Sequence, residues 1–80
     1  ISGNRVSGVL GDAGSGDYGI YNFNDSRLAI RDNDLLGNTT AGSVGIFCTT
    51  GNASAKNNLV SGFFWAWKVC NDGGGNTVVP

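Results

Sequence analysis

Asn33-Asp34-Leu35-Leu36-Gly37 is the stretch from which the rest of the chain can be read. An Asn is followed two positions on by an apolar residue, and two positions after that by a Gly. The same pattern stands in Asn4-Arg5-Val6-Ser7-Gly8 and in Asn58-Leu59-Val60-Ser61-Gly62, with a truncated copy in Asn76-Thr77-Val78. Successive copies are 29, 25 and 18 residues apart, and three positions before each Asn sits Ile1, Ile30, Ala55 or Gly73. A repeat of this period marks an array in which each unit buries its apolar face only against its neighbours.

A second motif lies between the anchors. Tyr18-Gly19-Ile20-Tyr21-Asn22 lines up with Val44-Gly45-Ile46-Phe47-Cys48, and Trp65-Ala66-Trp67 repeats the small residue between larger ones. Stretches rich in Gly, Ser, Thr, Asp and Asn separate these motifs at 11–17, 23–27, 38–43, 49–54 and 71–75. Each unit therefore reads as strand, turn, strand, tight Asn turn, strand, loop. Period-2 alternation places Ile20 and Ile46 on one face, with Gly19 and Gly45 on the other. Val6, Leu35, Val60 and Val78 form a second inward stack, and Ile1, Ile30 and Ala55 a third. Asn tolerates the left-handed conformation of a tight corner. Stacked amides of Asn4, Asn33, Asn58 and Asn76 are expected to hydrogen-bond in a ladder. The expectation is an all-β fold, a right-handed parallel β-helix (solenoid) of about three coils. It forms one domain over 1–80, with coils at roughly 1–27, 28–54 and 55–80. The alternative is a β-sandwich of short strands with turn-rich loops.

Composition agrees with strands and turns. The chain has 80 residues, 14 of them Gly and 10 Asn, with no Glu, His or Met. Gly and Asn favour turns, whereas the missing Glu and Met are good helix formers. A net charge of −1 from five scattered Lys and Arg points away from nucleic acid. The longest apolar run, Phe63 to Trp67, is far short of a membrane span. The chain opens Ile-Ser-Gly-Asn without a signal-peptide pattern, which reads as the middle of something longer or a processed chain.

The Asn-x-Val/Leu-x-Gly anchors and the Gly-Ile alternation resemble the parallel β-helix repeat of pectate-lyase-like proteins. The resemblance covers nearly the whole chain through short, degenerate motifs. It implies a fold rather than a reaction. In the resembling family, enzymes often carry Asp clusters on the outer face for metal binding or glycosidic-bond cleavage.

Candidate chemistry is sparse, and no residue is assigned a catalytic or metal-binding role. The carboxylates are Asp12, Asp17, Asp25, Asp32, Asp34 and Asp72. The densest polar knot is Arg31-Asp32-Asn33-Asp34, but Asp32 and Asp34 flank the corner Asn33 and are not expected to converge. Glycoside hydrolysis needs two facing carboxyls at a defined separation; an Asp pair on adjacent coils beside Arg5 or Arg31 would favour it. The loop Gly11 to Asp17 meets neither a phosphate-cradle nor a calcium-loop signature. No cofactor is implied.

Aromatic residues are more suggestive. Alternation puts Phe63, Trp65 and Trp67 on one face and Phe64, Ala66 and Lys68 on the other. Phe64 is then exposed beside Tyr21 and Phe47, an outward row suited to sugar rings or to a subunit contact. Cys48 and Cys70 lie about one coil apart; they form either a disulfide between neighbouring coils or two buried thiols. The repeat alignment sets Cys48 level with Val69 rather than Cys70. Sequons occur at Asn24-Asp25-Ser26, Asn38-Thr39-Thr40 and Asn52-Ala53-Ser54.

Two functions follow as expectations. The first is an extracellular or cell-surface structural or adhesive module. Its open solenoid ends make it a homo-oligomer or filament subunit, with polysaccharide as a further partner. The second is a fragment of a polysaccharide-acting lyase, hydrolase or epimerase, or a carbohydrate-binding module, which rests on fold resemblance alone.

Overall fold

Short strands divided by turn residues can bury apolar side chains only by pairing with strands far along the chain. The computed structural model, which describes residues 1–7, 17–24, 27–39, 41–49 and 52–79, shows which strands pair. Among the described residues there are ten strands and no helix. They are β1 (Arg5–Val6), β2 (Tyr18–Asn22), β3 (Ala29–Arg31), β4 (Asp34–Leu36), β5 (Val44–Cys48), β6 (Ser54–Lys56), β7 (Leu59–Ser61), β8 (Trp65–Lys68), β9 (Asn71–Asp72) and β10 (Thr77–Val79). The loop from Gly11 through Gly16, Asp12, Gly8, Asp25 and Ser26 of the first sequon, and Thr40 of the second lie outside the described residues.

Three parallel sheets result, ordered β1-β4-β7-β10, β2-β5-β8 and β3-β6-β9. Each strand pairs with the strand three places later, so successive strands enter the sheets in unchanging rotation. The pairings bring the sequence anchors level: Val6 with Leu35, Leu35 with Val60, and Val60 with Val78. Ile20 is level with Ile46, Ile46 with Trp67, and Ile30 with Ala55. These columns form a narrow apolar core in which Ile30, Leu35, Ile46 and Ala55 are fully buried and Val60 nearly so. Burying one such aliphatic side chain is worth about 1.5–3 kcal/mol.

The structure corrects the expected alternation along β2, β5 and β8. Pairing holds at Tyr18–Val44–Trp65 and resumes at Ile20–Ile46–Trp67, but skips the Gly19–Gly45–Ala66 level between them. The strands bend there, and two consecutive positions point inward. A Cβ on Gly45 would lie 2.5 Å from Val60 Cγ1 and 2.6 Å from the Ala66 carbonyl oxygen. On Gly19 it would lie 2.7 Å from the Gly45 carbonyl oxygen. The ring of Phe63 fills the space beside Gly19, Gly37 and Gly45. The glycines thus face the core alongside Ile20 and Ile46, not opposite them. The same bend puts Trp65 and Lys68 on one side, with the Lys68 ammonium 5.0 Å from the centre of the Trp65 ring.

The turn geometry is also corrected. The left-handed residue at each tight corner is the one before the ladder Asn: Gly3, Asp32, Asn57 and Gly75, with φ of 67°, 57°, 55° and 70°. Gly, Asp and Asn are the types that adopt this region cheaply. The ladder Asn does not adopt it, because its N–H must point along the stack.

Candidate functional site

The feature that recurs at every level is the Asn ladder. The backbone N–H and the Nδ2 of Asn4 both donate to Asn33 Oδ1, at 3.0 and 3.1 Å. Those of Asn33 donate to Asn58 Oδ1, both at 3.0 Å. Those of Asn58 donate to Asn76 Oδ1, at 2.9 and 3.1 Å. The second Nδ2 hydrogen goes to a backbone carbonyl: Ile30 for Asn58 and Ala55 for Asn76, both at 2.9 Å. Asn33 and Asn58 are buried, so the ladder satisfies amides that would otherwise be costly to desolvate.

Outside the β2-β5-β8 sheet runs a second row. Tyr21 is level with Phe47, and their rings stack with centres 5.3 Å apart and planes 2° from parallel. Phe23 stacks on Tyr21 at 6.4 Å, and Tyr18 leans against both Tyr21 and Phe47. The next residue in this row is Lys68, level with Phe47. Phe64, expected beside Tyr21 and Phe47, instead precedes β8. Its N–H is held by Ser43 Oγ at 3.1 Å and its ring meets Trp65 edge-on at 5.4 Å. Two of the three aromatic residues read as a sugar platform are thus brought together, stacked on each other, with Tyr21 still partly open to solvent.

Cys48 and Cys70 form a disulfide with Cα atoms 5.1 Å apart. The offset in the repeat alignment is absorbed by Val69. It takes a left-handed conformation (φ 68°) and turns outward, leaving the inward place to Cys70. The alignment did not reveal that bulge, since Val rarely adopts such a φ.

Among the described residues no strand pairing sets one carboxylate level with another. Asp34 pairs with Arg5 at 3.6 Å on an exposed surface, and the residues level with it are Arg5 and Leu59, not another Asp. Arg31 is level with Lys56, and Asp32 makes a turn whose N–H donates to the Lys56 carbonyl. Among the described residues no three His, Cys, Asp or Glu side chains gather as metal ligands, and the one buried polar side-chain atom without a partner is Asp17 Oδ2. No described helix is long and apolar enough to cross a membrane. Asn38, Asn52 and Ser54 of the later sequons are not fully buried; Ala53 is.

Comparison with protein-family models, curated proteins and solved structures returned no match.

Proposed function

We propose that this chain is a structural or adhesive module, a short right-handed parallel β-helix like the repeats of pectate-lyase-like proteins, that associates with copies of itself outside the cell. The unchanging rotation of strands through three parallel sheets supports the coil. The observation that carries the structural reading is the direction of its repetition. The ladder Asn residues and the outer pair Tyr21 and Phe47 contact one another along the stack instead of converging on a pocket.

Self-association is supported by the apolar surface this small chain leaves exposed. Phe23 is 68% and Phe64 60% exposed, and Tyr21, Leu36, Trp65 and Val69 are also open. Tyr21 touches Phe23 and Phe64 touches Trp65, and contiguous exposed apolar groups of this kind mark contact surfaces. The disulfide supports an oxidising, extracytoplasmic setting. Light scattering with electron microscopy of the purified chain tests the proposal. Regular assemblies larger than one chain are expected; a monodisperse monomer at all concentrations would contradict it.

A further inference from the structure

We infer that the coil carrying β8, β9 and β10 is a built stop, on which no coil of another copy stacks in the register of those before it. The inference rests on the coil reading above and narrows how copies meet.

Three observations point to it, two of them at Asp72. The first is steric. A Cβ on Gly19 falls 2.7 Å from the next level's carbonyl oxygen, and one on Gly45 falls 2.6 Å from it, so both positions are Gly. The residue at the third level is Ala66, which has a Cβ. A strand added to β8 with the same geometry would bring its carbonyl oxygen into that methyl group.

The second is electrostatic. Ile30 and Ala55, both fully buried, are followed in their column by Asp72, level with Ala55. Asp72 is exposed. A further coil would lay apolar side chains over its carboxylate, and removing an ionised group from water without a counter-charge is strongly unfavourable.

The third is the ladder itself. At Asn4, Asn33 and Asn58 the Nδ2 donates to the next Asn. At Asn76 that hydrogen goes to Asp72 Oδ1 at 2.8 Å, an oxygen that also accepts the Gly74 N–H at 2.9 Å. Asp72 thus takes the place of the next ladder residue. Among the described residues the Asn76 N–H has no acceptor. Among the described residues of the opposite edge the corresponding core positions are apolar: Val6 and Ile20 hold two of them, and the bridge of Ser2 with Arg31 sets Ile1 before Ile30. Copies therefore meet through other surfaces, and head-to-tail growth into a filament is blocked at this end.

The test combines sedimentation with hydrogen exchange of the Asn76 amide across a range of protein concentrations, on the wild type and on an Ala66→Gly/Asp72→Val variant. In the wild type the Asn76 amide is expected to exchange at an unprotected rate at every concentration, with assembly size bounded. In the double variant, mass should rise with concentration and the Asn76 amide should become protected. Concentration-dependent protection of Asn76 in the wild type would overturn the inference. So would a folded double variant with the same mass distribution as the wild type. If the double variant does not fold, the wild-type exchange decides. A wild type that stays monomeric while the double variant grows would remove the self-association reading and leave the stop intact.

Discussion

The chain carries two ladders, one inside and one outside, and they differ in what they tolerate. Inside, Asn stands at all four levels, and the amides of Asn33, Asn58 and Asn76 each supply an acceptor to the level before. Outside, the row runs Tyr21, Phe47 and then Lys68, three side chains of different chemistry in one register. Burial accounts for the difference. A buried N–H without an acceptor costs its desolvation, whereas an exposed ring exchanges a neighbour for water at modest loss. Repetition within this one chain thus separates positions bound by hydrogen-bond geometry from positions where packing is optional.

The contrast breaks most visibly at Asn58. Asn58→Ala leaves the Asn33 N–H and Nδ2 buried without their acceptor and is expected to cost about 3–5 kcal/mol. The same change at exposed Asn4 should cost about 1 kcal/mol or less. Denaturant unfolding of the two variants reads the gap, and equal losses would mean that burial does not set the ladder's worth.

The disulfide ties the second and third levels beside the outer row. Cys48→Ala/Cys70→Ala reopens a 22-residue separation, and loop-closure entropy predicts a loss of about 3 kcal/mol. Thermal unfolding with and without reductant checks this, since the double variant should be insensitive to reductant.

Gly45→Ala sharpens the comparison at the bend. Its methyl group would meet Val60 Cγ1 and the Ala66 carbonyl, so a loss of about 1–3 kcal/mol is expected from overpacking. The smallest effect belongs to the outer row. Tyr21→Ala removes a stacked pair worth about 0.5–1.5 kcal/mol. Its larger consequence should be on association, read by light scattering of the variant beside the wild type.

Much of this architecture was legible in the sequence because it is carried by spacing. The Asn anchors recur at the separations through which the strands pair, and the inward columns of Leu35, Val60 and Ile46 follow directly. What was not legible depends on single-residue departures from alternation. The bend at Gly19 and Gly45 turns two neighbours inward, which period-2 counting cannot express. Val69 adopts a left-handed bulge that its residue type disfavours, and that bulge brings Cys70 to Cys48. One signal was available but unread: Gly, Asp or Asn precedes every ladder Asn, in Gly3-Asn4, Asp32-Asn33, Asn57-Asn58 and Gly75-Asn76. Tyr21 and Phe47 are level on the outside, and Lys68 stands next in the row where alternation points to Phe64, because the bend shifts the outward positions of β8.

The central claim is that parallel strands are stacked so that the Asn side chains bond in the order 4, 33, 58, 76. Assigned NMR spectra test it most directly, through side-chain amide contacts and their hydrogen exchange. The account predicts cross-peaks linking Asn33 to Asn4 and to Asn58, with slow exchange of the Asn33 and Asn58 side-chain amides. Side-chain amides exchanging at the free rate, or strand contacts in an antiparallel pattern, would contradict it.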